Sequence, residues 1–239
     1  MLRDLKQQVL EANLRLPPSG LVRLTWGNVS GIDREQGMMV IKPSGVPYSH
    51  LRDDDMVVLE LATGRKIDGP LNASSDAATH LALYRAWPEV GGICHTHSVH
   101  ATAWSQAGRP LPCYGTTHAD HFYGPVPLCR VLTPEEVAAD YEAMTGTAIV
   151  ETFRLQNLNP MAVPAVLQHH HAPFTWGKHA LEALDNSVAL EMCAQMALET
   201  LHLNPDAPPL PQHLLDKHYL RKHGPGAYYG QKKPPSNGK

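Results

Sequence analysis

His95-Thr96-His97 and the run His169-His170-His171 lie far apart in the chain, His171 following His97 by 74 residues. A fold that uses both must return a late segment to an earlier strand. Side chains alternate along a strand, so His95 and His97 face the same way and can share one ion. In the second run His169 and His171 share a face and His170 takes the other, so a third imidazole can come from there. Asp76 or Asp120 offers an oxygen. Three imidazoles and one oxygen donor leave a coordination position open to substrate or water, as catalytic metal sites do. The chain holds 15 histidines, so the first pair alone is as readily chance as ligand. The second cluster favours a metal.

Around these clusters, helical and strand patterns are interspersed. Leu2, Leu5, Val9, Ala12 and Leu16 keep a 3–4 spacing and predict an opening helix that stops at Pro17-Pro18. Short β-type stretches follow at 24–32, 38–41 and 56–61. Ser74-Ser75-Asp76 is expected to cap a helix reaching Trp87, with Pro88 behind it. Gly91 to His97 reads as a strand with a short helix after it. Thr133-Pro134-Glu135-Glu136 is a helix start, with a Thr cap, Pro in the first turn and Glu three residues past the cap. A strand near 163–170 precedes the longest helical pattern, 178–203. A Pro-rich linker at 204–211 leads to a last helix, 212–222, and the final residues form a polar tail expected to be disordered. The class is α/β or α+β, one domain with helices covering a sheet.

Composition narrows the function. The 20 Lys+Arg against 23 Asp+Glu give a net charge of -3, without the basic excess that nucleic acid demands. No uninterrupted apolar run exceeds four residues, which predicts no membrane-spanning helix. The first residues carry acids among their apolar positions, unlike a signal peptide, so a cytoplasmic location is expected. Four widely spaced cysteines with no C-x-x-C pair argue against disulfides or a thiolate zinc site.

Gly27-Asn28-Val29-Ser30, Lys42-Pro43-Ser44-Gly45 and Ser74-Ser75 are small, donor-rich turns. Singly each is an ordinary turn or cap. Together they can place N–H groups, hydroxyls and one ammonium around an anion, most physically at the helix N-terminus after Ser75. Thr116-Thr117-His118-Ala119-Asp120, His218 to Arg221 and Tyr228-Tyr229 add a carboxylate and a phenol. These serve as acid and base if their pKa values move toward neutrality. The residues by themselves describe a metal-dependent enzyme acting on a small anionic substrate.

TWGNVSGIDR, VIKPSGV, SSDAATH, ICHTHSVHAT, GTTHADHFYG, IVETF, HHHAPFTWGK and LLDKHYLRKHG-x-x-AYYGQ resemble the class II (zinc) aldolase/epimerase family, in this order from the first helix to Gln231. The TTHAD segment and the KHYLRKHG…YYGQ tail resemble its sugar-phosphate epimerase branch. The resemblance implies a single-domain, three-layer αβα fold spanning 1–231, with a central, mainly antiparallel sheet flanked by helices, and the tail at 232–239 outside it. It implies zinc held by Asp76, His95, His97 and His171, a site that manganese or cobalt would also suit. Asp120 and Tyr229 would be the acid/base pair. Gly27, Asn28, Lys42, Ser44, Gly45, Ser74 and Ser75 would bind substrate and phosphate. Thr116, His218 and Arg221 would assist from a neighbouring subunit of a cyclic homotetramer. The implied reaction interconverts L-ribulose 5-phosphate and D-xylulose 5-phosphate by C3–C4 retro-aldol cleavage, aldehyde rotation and recombination. His170 departs from the pattern, standing where a small polar residue is expected.

Two other functions compete. A zinc aldolase that releases its aldehyde would be expected to carry Glu where Asp76 stands. A non-catalytic binding module on the same fold would not need a complete ligand set, and one is present.

Overall fold

The computed structural model describes residues 2–230, so Gln231 and the tail expected at 232–239 lie outside the described residues. Seven strands form one sheet: β1 (Asn28–Asp33), β2 (Met38–Ile41), β3 (Val57–Glu60), β4 (Lys66–Asp68), β5 (Gly92–His95), β6 (Ala165–Leu167) and β7 (Pro173–Gly177). Their spatial order is β4-β3-β2-β1-β5-β7-β6, and each of the six pairings is antiparallel. The helices are α1 (Arg3–Arg15), α2 (Ala77–Ala86), α3 (Val99–Gln106), α4 (Thr116–Ala119), α5 (Pro134–Leu155), α6 (Ala180–Leu203) and α7 (Gln212–His223).

Alternation along the strands builds the layers. Met39, Ile41, Val57, Leu59, Ile93 and Trp176 point to one face, where they pack with Leu81, Tyr84, Ile149 and Phe153 of α2 and α5. Val40, Val58, Val29 and Cys94 point to the other, against Val9 and Ala12 of α1 and Ala183 and Leu184 of α6. Each such buried aliphatic or aromatic side chain contributes about 1.5–3 kcal/mol. Both faces are apolar, so helices must cover both. The result is the three-layer αβα arrangement.

Polar groups fix the angles. Asn13 of α1 is fully buried; its amide donates to the Val29 carbonyl at 2.9 Å and its oxygen accepts from the Val29 N–H at 2.9 Å, so α1 is pinned to β1. The capping box of α5 forms as expected: Thr133 Oγ1 accepts from the Glu136 N–H, and the Glu136 carboxylate accepts from the Thr133 N–H. The same helix breaks at Asp140 (φ -168°, ψ 96°), whose carboxylate accepts from the Ala143 N–H at 3.0 Å and caps the second half.

Several expectations need correction. The segment at 163–170 is a shorter strand, β6, followed by a turn and an unanticipated partner, β7. β5 stops at His95, so His97 lies just beyond the strand. The Ser74-Ser75-Asp76 side chains make no capping bond to α2. Ser74 Oγ is instead engaged with Asn28 and Asp76. The 169–171 run is a turn, with His170 at φ 61°, so strand alternation does not govern it.

Candidate metal centre and anion pocket

The site sits at one end of the central strands. In the register, Asn28 of β1 is paired with His95 of β5, and His95 with Phe174 of β7. The turn before β7 carries His171 back to this end. His97 follows two residues after His95, past the strand end. The late segment thus returns to the early strand through antiparallel pairing.

One nitrogen from each of His95, His97 and His171 lies within 4.8 Å of the others. Their ring centroids form a near-equilateral triangle, with sides of 5.0, 4.9 and 5.0 Å. His95 Nδ1 is 3.0 Å from the Pro173 carbonyl, which can only accept, so this nitrogen carries the proton and Nε2 keeps its lone pair. The His95 ring is stacked on Phe174 at 4.2 Å. His95 Nε2 and His97 Nε2 are 3.2 Å apart. A tetrahedral ion with metal–nitrogen bonds of about 2.0–2.1 Å needs its donors about 3.3 Å apart, so the cluster fits zinc or a similar divalent ion. Burial, then the neighbouring His95, pushes His97 down to about 4; burial, then His95 and His97, pushes His171 down to about 3. Both are therefore neutral donors near pH 7.

Asp76 lies at the head of α2. Its Oδ2 accepts from Asn28 Nδ2 at 2.6 Å and Ser74 Oγ at 3.3 Å. Burial alone would raise its carboxyl, but His95 and His80, with the Asn28 bond, outweigh that and hold it below the usual range. It lines the same pocket as the triad but is outside the tight nitrogen cluster.

Beside the triad, two loops are laced together. Ser44 N–H donates to the Asn72 carbonyl and Ser74 N–H to the Lys42 carbonyl, both at 3.0 Å. This brings Lys42, Ser44 and Gly45 against Ser74 and Ser75. With Gly27, Asn28, Asp76, His95, His97 and His171 they line one pocket of about 370 Å³. Gly27 has φ 104°, and a Cβ there would come within 2.8 Å of the His95 carbonyl, so its role includes close backbone packing behind the triad. The Lys42 side chain is buried, lies over the Tyr48 ring at 5.0 Å and donates to the Pro43 carbonyl at 3.2 Å. Burial lowers it to about 8. An ammonium retained at that cost beside hydroxyls fits an anionic ligand.

The remaining expected residues form a second cluster, on α4 and α7 and the segment after α7. Arg221 grips Asp120 with two bonds, at 2.7 and 3.1 Å, and His218 Nδ1 is 3.1 Å from the same carboxylate. The Tyr229 ring lies under the Arg221 and Lys222 cations, at 4.9 and 4.6 Å. Thr116 opens α4, and its carbonyl accepts from the Asp120 N–H. None of Thr116, Asp120, His218, Arg221 and Tyr229 lines the triad pocket of its own chain. Asp120 therefore offers no oxygen to the triad within one chain. Burial would raise its carboxyl, but Arg221 and His218 outweigh this and hold it below the usual range, opposite to the shift toward neutrality expected of a resting base.

His169 and His170 stack on each other at 4.1 Å, outside the triad. His118 is buried, with Nε2 at 2.8 Å from the Gly124 carbonyl. Sequence reasoning missed Thr25, Trp26, Tyr141 and Glu142, which also line the pocket. Tyr141 and Glu142 follow the break in α5, whose one sequence signal is an Asp three residues before the amide it caps.

This fold and site belong to a known class. The profile of the Class II Aldolase and Adducin N-terminal domain family matches residues 7–198, and the chain belongs to that family. It is 52% identical over 231 residues to L-ribulose-5-phosphate 4-epimerase UlaF of Salmonella paratyphi A and to that of Salmonella typhi, covering 97% of this chain and 100% of each relative. Among solved structures, an L-fuculose 1-phosphate aldolase superposes with a TM-score of 0.79 at 22% identity, over 91% of this chain and 95% of that one. A sugar-phosphate aldolase from Thermotoga maritima gives 0.65 at 19%, over 88% and 99%. At those identities the structural likenesses speak to fold alone.

Proposed function

We propose that this chain is an L-ribulose-5-phosphate 4-epimerase, interconverting L-ribulose 5-phosphate and D-xylulose 5-phosphate. The observation that carries this reading is one pocket holding a three-imidazole cluster, the Asp76 carboxylate and a buried ammonium among hydroxyls. The 52% identity to named epimerases along the whole of their length supports the particular sugar.

The C4 hydrogen of the ketose is not adjacent to the C2 carbonyl and is not acidic, so simple deprotonation cannot invert that carbon. Cleavage between C3 and C4, rotation of the aldehyde and recombination on its other face can. His95, His97 and His171, with Asp76 as fourth ligand, would hold zinc, with manganese or cobalt as substitutes. When bound, the ion supplies Lewis-acid stabilisation of charge developing on the ketone oxygen. Lys42, Ser44, Gly45, Ser74 and Ser75 receive the phosphate, and Asn28 orients the sugar from beside Asp76. Asp120 and Tyr229 take and return the C4 hydroxyl proton, one on each face, with Thr116, His218 and Arg221 arranging them.

The separation of the two residue groups in one chain supports the reading that the second group comes from a neighbouring copy, in a cyclic homotetramer with sites at the interfaces. Four buried free thiols support a cytoplasmic location. Among the described residues no helix is long and apolar enough to cross a membrane.

Zinc-loaded protein incubated with L-ribulose 5-phosphate should give D-xylulose 5-phosphate in a coupled assay, and a chelator should abolish the signal. Absence of product from metal-loaded protein would overturn the epimerase and favour an aldolase of another sugar phosphate.

A further inference from the structure

We infer that Tyr141 is a positioning residue for the metal centre, its hydroxyl holding His171 in the tautomer and ring orientation that leave Nε2 free for the ion. The inference rests on the metal site proposed above. Tyr141 Oη is 3.1 Å from His171 Nδ1, with the ring centroids 6.0 Å apart. The other engaged ligand, His95, has its Nδ1 fixed by a backbone carbonyl, which no substitution can remove. His171 depends on a side chain for the same service.

A ligating imidazole needs its second nitrogen protonated and hydrogen-bonded, which fixes the tautomer and raises the basicity of the ligating one. A phenol oxygen can accept that bond. With His171 Nδ1–H donating, the Tyr141 O–H remains free to point into the pocket that the residue lines.

The fold invests in this placement. Asp140 leaves helical geometry and caps the second half of α5, which makes Tyr141 the first residue of a re-aimed segment. Thr79 of α2 donates to the Glu142 carbonyl at 2.6 Å, clamping that segment one residue further on. α2 is also the helix that begins beside Asp76. Tyr141 and Asp76 are thus held on one rigid pair of helices.

The test is zinc affinity, read by competition of the metal-free protein with a chromophoric chelator, and it needs no turnover. Tyr141→Phe should bind zinc about 10–100-fold more weakly than wild type, with an unchanged far-UV spectrum. Equal affinity in the two proteins would overturn the role of Tyr141 and leave the metal site standing. A wild-type protein that takes up no zinc would overturn both. Should the variant not fold, nitrogen-15 NMR of zinc-loaded wild type decides. His171 protonated on Nδ1 is expected, and protonation on Nε2 would overturn the inference.

Discussion

At the residue scale, Lys42 carries the sharpest consequence. Its ammonium is buried and lowered to about 8, so in the free protein it loses its charge as pH rises through that value. Below about 8 it is charged and, in the proposed role, would attract the phosphate; above, it is a neutral amine. The expected outcome is a kcat/KM profile that falls on the alkaline side near pH 8. In Lys42→Met that limb should vanish, and KM should rise about 10–100-fold from loss of a charge-assisted bond of about 1.5–3 kcal/mol. An alkaline limb surviving in the variant would assign it to another group. Residue chemistry was largely legible beforehand: the residues expected at the metal and phosphate all line one pocket. What misled was local conformation. His97 lies past the strand end and His171 in a turn, so the alternation argued for them was not what united them.

At the element scale, caps were readable because they are local. Thr133 and Glu136 sit three residues apart and close on each other wherever the helix goes. β4, β7 and α4 were not readable. β4 has three residues and α4 four, too short for a period, and β7 is fully buried without polar alternation. The break at Asp140 was hidden by a helical pattern on either side. The packing of α2 on α5 gives a prediction of its own. A Cβ on Gly146 would meet the Ala82 Cβ at 2.5 Å and the Thr79 carbonyl at 3.1 Å. Gly146→Ala should therefore cost about 1–3 kcal/mol from overpacking, seen as a lower urea midpoint. Ala82→Gly in the same chain removes the nearer clash and should recover part of the loss. No recovery in the double variant would mean that the Thr79 backbone, not Ala82, limits the approach.

At the scale of the whole molecule, the two separated clusters decide how many chains make one site. Within a chain, Asp120, His218, Arg221 and Tyr229 neutralise and stack on each other, away from the triad pocket. If a neighbour supplies them, contact is head-to-tail, with the pocket of one copy meeting the α4–α7 cluster of the next, and such contacts close into rings. His97→Ala removes a proposed ligand and Asp120→Asn the proposed base, so each variant alone should be nearly inactive. A mixed ring behaves differently. A working site needs a pocket from an Asp120→Asn copy and a carboxylate from a His97→Ala neighbour. With equal, random mixing each condition is met half the time, so about a quarter of wild-type activity should return. The measurement is activity after dissociation and reassembly of the mixture, with mixing verified by native mass spectrometry. Mixed assemblies with no recovered activity would place both groups of residues in one subunit's site, and the arrangement of copies proposed for this chain would fall.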